Sequence, residues 1–427
     1  MTKDRLISLD VFRGLTILLM TIVNNPGSWS AIYPPLEHAE WHGCTPTDLV
    51  FPFFVFIMGV AISFAMPRTD AINRASTSTL NKIFTRSLRM ICLGIFFNFF
   101  SSIQLFGLEG IPLLTGRLLI TAIAGYALMG NFDAKLKTYL AVSIFIVYMI
   151  LAYSGIESYQ SVRLPGVLQR IGIVYFVASL LYLKTTQRTQ LITAIGILLS
   201  YWAVMTLIPA PGFEITNLEK GTNLVAWADS ILLKGHMWEP TKTWDPEGVL
   251  STIPAIATGI IGLLIGQLLN SASLKTEKFK KILLIGVILI ILGQIWNIVF
   301  PINKALWTSS YVLYTAGLAA LTLSLLYYLI DIADYKKGIK LFLIWGVNPM
   351  IVFFLSQIIP QAMGMISLPN PKTPAEQTNL WDYLYFLGVQ PYFENPMTAS
   401  LVFAMLYVGF WSILLAYFYK NKMYFKV

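Results

Sequence analysis

Two of this chain's three histidines, His38 and His42, stand four residues apart in NNPGSWSAIYPPLEHAEWHGCTPTDLVFP, which runs from Asn24 to Pro52. The same stretch carries Asn24, Asn25, Glu37, Glu40 and Asp48, with Trp29, Tyr33 and Trp41 between them. An imidazole with an ordinary pKa of about 6.5 is suited to taking a proton from an attacking amine or hydroxyl. We read His38 as that acid/base group and the loop as the mouth of an active site. Asp48 follows Thr45-Pro46-Thr47, a helix start with proline in the first turn. Its carboxylate either complements the helix dipole or fixes the tautomer of a nearby histidine, as the third member of a triad does. The helix start itself could steady a developing oxyanion. Histidines four apart also have a metal-ligand spacing, but no third ligand stands at a clear spacing, so no metal is expected.

Other polar residues sit where apolar sequence surrounds them. Asp10 and Arg13, three apart on one helix face, can pair with each other; charge inside a membrane span nonetheless defaults to a functional hypothesis. Asn24 ends an apolar segment that Asn25-Pro26-Gly27 stops. Its amide either caps the helix or holds a carbonyl oxygen. The run from Arg163 to Arg170 brings Gln169 and Arg170 into apolar sequence, where Arg89 and Arg117 also lie. Guanidinium forks suit phosphates. Asp245-Pro-Glu-Gly248 makes a turn, with Glu247 as a ligand for a polar acceptor. Asn303, Lys304, Trp307 and Tyr311 put rings beside an amide and an amine, a combination that holds sugars. Asn348-Pro349 breaks a later apolar run, where the asparagine can bond backbone freed by the proline.

The elements that must position these groups are membrane helices. The 427 residues are 56% hydrophobic and 12% charged, against about 25% charged in soluble domains, and the mean hydropathy is +0.68. The fold class is therefore all-α, a polytopic membrane helical bundle. Twelve apolar segments are long enough to span, at roughly 6–24, 48–66, 84–104, 112–130, 136–154, 165–184, 188–208, 250–270, 280–300, 306–331, 340–360 and 399–419. The first, broken by Asp10 and Arg13 with no small-residue cleavage site after it, reads as a span and not a leader. If the spans alternate, one side collects twenty basic residues, among them Lys3, Arg5, Arg68, Arg74, Lys336 and Lys426, and the other holds six, among them Arg163, Lys304 and Lys372. That asymmetry puts both termini in the cytoplasm and the His38 loop outside. It also accounts for the net charge of +9 without nucleic acid. The connections 209–249 and 361–398 are the longest and fall on the His38 side. Cys44 and Cys92 are expected to be free thiols. One membrane domain over residues 1–427 is expected.

Read together, LDVFRGLTILLMTIVNNPGSW, HAEWHGCTPTDLVFPFFVFIMGVAIS, RLPGVLQRIGIVYF, WDPEGVLSTIPAIATGIIGLLIGQLL and NKALWTSSYVLYT resemble the heparan-α-glucosaminide N-acetyltransferase family, a lysosomal enzyme and bacterial inner-membrane relatives. The resemblance implies transfer of acetyl from cytoplasmic acetyl-CoA to the free amine of a terminal glucosamine across a bacterial inner membrane. It lays the family's catalytic histidine on His38, its essential asparagine on Asn24, its aspartates on Asp10 and Asp48, and its glutamate after Asp-Pro on Glu247. Glu247, Asn303, Lys304, Trp307 and Trp41 form the expected acceptor-binding set. Arg13, Arg89, Gln169, Arg170 and Asn348 form the expected acetyl-CoA set. Two departures accompany the resemblance: residues 105–160 add two spans, and the lysosomal enzyme's luminal N-terminal domain has no counterpart. His38 could act as base or as an acetylated relay. An amino-sugar carrier and a sugar O-acetyltransferase are the rival readings. Expected partners are acetyl-CoA, the amino-sugar acceptor, the lipid bilayer and a second copy of the chain as a homodimer, with no nucleic acid.

Overall fold

A computed structural model describes residues 6–66, 76–371, 373 and 376–425. Lys3, Arg5, Arg68, Arg74, Lys372 and Lys426, counted in the charge asymmetry, lie outside the described residues. The helices are α1 (Ile7–Asn24), α2 (Val50–Ala65), α3 (Thr77–Phe99), α4 (Gly110–Met129), α5 (Ala134–Ala152), α6 (Val167–Lys184), α7 (Gln187–Leu207), α8 (Leu224–Leu232), α9 (Val249–Leu269), α10 (Lys275–Asn297), α11 (Ser309–Tyr327), α12 (Lys340–Val347), α13 (Pro349–Gly364), α14 (Leu380–Gly388) and α15 (Pro396–Lys420). Among the described residues eleven helical segments are long and apolar enough to cross a membrane, and α12 with α13 makes a twelfth, broken span bent by 80°. The fold is the all-α membrane bundle expected from the sequence.

Local chemistry explains the boundaries. Ser76, Asp133, Thr186, Asn223 and Asn379 each accept a hydrogen bond from the third backbone N–H of the helix they cap. α3 thus begins before the apolar run at 84, and α10 begins inside the lysine cluster at 275. The break at Asn348 leaves an amide free to work elsewhere: its Nδ2 donates to the Met423 carbonyl and its Oδ1 accepts from the Phe425 N–H. The two longest connections are not bare loops. One contains α8; the other contains α14 and an antiparallel hairpin of β1 (Ser367–Pro369) with β2 (Gln377–Asn379).

The largest core cluster joins α1, α2, α3, α6, α7, α9, α10 and α11. α4 and α5 attach to it through α3 and α13, and α15 closes the side of α1 and α12. Much of α5 and α10 faces outward with exposed Ile, Leu and Val, which is where lipid belongs. Hydrogen bonds define two faces. Ser8 to Asp331, Asn270 to Ser63 and Asn348 to Phe425 lie at the face of the chain ends, the terminal face. Gly27 to Ser400, Gly43 to Ile302 and Leu164 to His236 lie at the opposite, loop face.

Between helices, small residues set the spacing, because apolar helices in lipid gain by close packing and not by leaving water. A Cβ on Gly59 of α2 would stand 2.1 Å from the Gly259 carbonyl oxygen of α9, and one on Gly346 of α12 would stand 2.0 Å from the Asp10 carbonyl oxygen of α1. Gly59→Leu is expected to force α2 from α9 and cost at least about 2 kcal/mol. Thermal unfolding in detergent should show a midpoint lowered by several degrees; an unchanged midpoint would contradict this crossing.

Candidate active site

The site is built on the start of α2. Pro46 to Leu49 form a tight turn leading into the helix. Asp48 is 1% exposed, and its Oδ2 accepts from the backbone N–H of Ala39 and of Thr45, each at 3.0 Å, and from the Thr45 hydroxyl at 3.1 Å. Its Oδ1 lies 2.7 Å from His38 Nδ1. Since a carboxylate only accepts, Nδ1 carries a proton directed at Asp48. The His38 side chain is 53% exposed at the loop face.

A second loop, residues 298–308, completes the site. Lys304 Nζ lies 3.1 Å from both His38 ring nitrogens and 3.7 Å from Asp48 Oδ1. Burial pulls this ammonium below the ordinary lysine range, against the opposing charges of Asp48 and Glu247. Asn303 Nδ2 donates to the Trp41 carbonyl at 2.8 Å and lies 3.4 Å from His42 Nδ1. Gly43 donates its N–H to Ile302, and Tyr311 donates its hydroxyl to the Asp48 carbonyl at 2.6 Å. Trp41 donates its indole N–H to Leu218 and meets Trp244 edge to face. His42 therefore belongs with Asn303, not with His38, and burial holds its pKa down against Glu219. The Cys44 thiol is pushed up to about 12 by burial, with Asp48 adding to the effect; Cys44 and Cys92 are both free.

Beside this site lies a charge network at the start of α9. Arg163 grips both oxygens of Asp245 at 2.8 and 2.6 Å and also binds Glu247. Burial alone would raise the Glu247 carboxyl; the charges of Arg163, Arg170 and Lys304 outweigh it and hold the group low. Asp229 accepts from the N–H of Asp245 and of Val249. Gly248 is required there, as a Cβ would stand 2.0 Å from Asp229. Arg170 donates to Ser251 at 2.6 Å, Thr252 at 3.2 Å and the Gly248 carbonyl at 3.3 Å. It packs against the rings of Trp307 and Phe51.

A cavity of about 540 Å³ lies between α1, α2, α3, α6 and α13, with Leu6, Ala65 and Phe425 of the terminal face in its lining. Its polar lining is Asp10, Arg13 and Arg86; Ile17, Phe54 and Leu168 lie deep within it. Arg13 bonds Asp10 at 3.1 Å and the Gly346 carbonyl at 3.3 Å.

The expected site residues are thus distributed. His38, Asp48, Lys304, Asn303 and Trp41 come together, with Glu247 and Arg170 alongside. Asp10 lies at the other end of α1, about 20 Å of helix from the loop face. Asn24 lines a separate depression of about 510 Å³ with Trp29, Trp381 and Asp382, and no hydrogen bond joins it to His38 among the described residues. Trp307 differs from its expected role as a sugar platform: it is 0% exposed and is held in the core by Thr258, Phe51 and Tyr311. Arg89 ties α3 to the carbonyls of Leu128 and Gly130, and Gln169 bonds Leu164 and Pro165. Sequence reasoning missed Thr45, although Thr-x-x-Asp is a capping-box signal. It also missed Arg86, Ser251 and Thr252, whose types give no sign of their surroundings.

Asp48→Asn is expected to loosen residues 37–45, since a charged acceptor is replaced by a neutral one. Charge-assisted hydrogen bonds contribute roughly 1.5–3 kcal/mol, so amide exchange there should rise about 10- to 100-fold. Unchanged protection would mean the carboxylate does not hold the loop.

The model that matches residues 5–228, 224 of 427 residues, is described as a domain of unknown function, DUF5009. The chain is also similar to heparan-alpha-glucosaminide N-acetyltransferase of Mus musculus, 26% identical over 478 aligned positions covering 100% of this chain and 61% of that protein. The Homo sapiens protein of the same name is 28% identical over 404 positions, 82% of this chain and 52% of that protein. The chain therefore spans between half and two thirds of the length of these relatives. With just over half of its residues matched by that model, the chain belongs to the DUF5009 family.

Proposed function

We propose that this protein is a membrane acetyltransferase. It takes acetyl-CoA from the terminal face and acetylates the free amine of a glucosaminide presented at the loop face. The observation that carries the reading is the His38–Asp48 pair at one face above a cavity entered from the other. The names of the two relatives supply the reaction class. We place the protein in a bacterial inner membrane, with the terminal face in the cytoplasm and the loop face outside. A homodimer belongs to the same proposal.

The cavity suits the cosubstrate by chemistry. Arg13 and Arg86 stand where phosphates would sit, and the walls further in are aliphatic and aromatic, as a long thin acyl-bearing arm requires. Asp48 holds the imidazole with Nε2 unprotonated, and Lys304 steadies the ring until the acceptor amine displaces it. His38 takes the proton from that amine as its nitrogen bonds the acetyl carbon. The carbon–sulfur bond breaks, and His38 returns the proton to the departing sulfur, giving an amide and the free thiol of CoA. Trp41 borders the mouth on the side where a sugar would lie, and Asn303, itself buried, holds the Trp41 carbonyl. Asn24 is kept as a candidate for holding the acceptor from its own depression.

The test is acetyl-CoA consumption by the purified protein against a panel of amino sugars, with mass spectrometry of the products. Glucosamine-terminated acceptors should gain one N-acetyl group. His38→Ala should lower turnover by about 10²- to 10⁴-fold, the usual contribution of a general base, with the thermal midpoint retained. Normal turnover in that variant would remove His38 from the chemistry.

A further inference from the structure

Arg170 is a buried cation whose hydrogen bonding is incomplete. It is 1% exposed. Its Nε and Nη2 are taken by Thr252, Ser251 and Gly248, while Nη1 is buried with no partner. Among the described residues no carboxylate pairs with it. The nearby Asp245 and Glu247 are gripped by Arg163, and Asp229 is committed to two backbone N–H groups. A buried charge without a bonded counter-ion is costly, and so is a buried donor left empty. A structure that keeps both in one side chain is poised for an acceptor that arrives from elsewhere.

Its position says which acceptor. Along α2 and the turn before it, residues three apart do three things. Asp48 holds His38, Phe51 carries the Arg170 guanidinium over its ring, and Phe54 lines the deep end of the cavity. Those three positions span about 10 Å. On α6, Arg170 shares a turn with Leu168 and Ile171, which line the cavity, while its own side chain turns to the start of α9. Through Phe51, Arg170 stands at the level between the histidine and the cavity lining at Phe54. Ser251 and Thr252, which fix its fork, start α9, and α2 and α6 start at the same level. Three helix N-termini converge on this spot, and their dipoles favour negative charge.

We infer that the free Nη1–H of Arg170 donates to the carbonyl oxygen of the acetyl thioester and to the negative charge that grows on that oxygen. This rests on the acetyl-CoA reading and deepens it, making Arg170 a catalytic residue. The phosphate-binding role that its guanidinium suggested in the sequence then falls to Arg13 and Arg86 at the cavity entrance. Ser251 and Thr252 become positioning residues, because they leave Nη1 as the only free donor of the fork.

The experiment is ligand binding, without acceptor, in a His38→Ala background so that the thioester is not consumed. Three ligands are compared: free CoA, acetyl-CoA and S-ethyl-CoA, the last of which lacks only the carbonyl oxygen of acetyl-CoA. With Arg170 present, acetyl-CoA should bind about 10-fold or more tightly than S-ethyl-CoA. With Arg170→Gln that ratio should fall to near one while free CoA binds as before, which also reports the fold. Arg170→Lys, which keeps the charge and loses the fork, is read the same way if the Gln variant does not fold. A ratio unchanged by both variants, or near one with Arg170 in place, overturns the inference, because Nη1 would then be serving a water or nothing. Failure of all three ligands to bind with Arg170 present would overturn the acetyl-CoA reading itself, and this inference with it.

Discussion

The Asp48 carboxylate is the constraint on which the rest depends. It is nearly inaccessible at the start of a membrane helix, yet it accepts three hydrogen bonds from the loop before it and faces the His38 ring. A buried carboxylate is tolerated only when its lone pairs are filled. Filling them forces residues 37–45 to fold over the end of α2. The same demand directs the Nδ1 proton of the imidazole at the carboxylate, so one act of satisfying a buried charge also orients the ring. Tyr311 and Lys304 then bind α11 and its preceding loop to the same point.

Charge is handled differently on the two sides of this anchor. At the start of α9, one guanidinium, Arg163, pairs with two carboxylates, Asp245 and Glu247. Arg170, one turn deeper, is bonded only to neutral groups. Lys304 sits within reach of Asp48 but is held below its ordinary range by burial. Lys304 thus sits beside His38 and Asp48, and Arg170 over the Phe51 ring. Towards the terminal face the cavity is mostly apolar, with Asp10, Arg13 and Arg86 in its lining. That gradient, from a polar mouth to an apolar shaft with basic residues at its entrance, matches a polar acceptor on one face and a long acyl carrier on the other.

The spans were legible in the sequence because each is a long apolar run between basic or polar gaps, and even the break at Asn348-Pro349 announced itself through proline. α8, α14 and the short hairpin were not, since nine or fewer residues carry too little periodicity. The link between His38 and Asp48 was foreseeable because ten residues of loop return to a helix start. Lys304 and Asn303, some 260 residues away, reach the loop only through the packing of α11 on α2, and their listing as acceptor ligands rested on residue type alone. Trp307 misled for the same reason. An interfacial tryptophan and a core tryptophan look alike in sequence, and only the arrangement of Phe51, Thr258 and Arg170 around it decides. Arg86 went unremarked as a lining residue, because a cavity formed by several helices has no linear signature.

The proposed reaction joins reactants kept in different compartments, and this can be tested in sealed vesicles with the protein in one orientation. Acetyl-CoA and a glucosamine-terminated acceptor are added on the same face or on opposite faces, and the acetylated sugar is counted. Product should form only when acetyl-CoA is at the face of the chain ends and the sugar is at the face of the His38 loop. Equal product with both reactants on one face would contradict the through-membrane route.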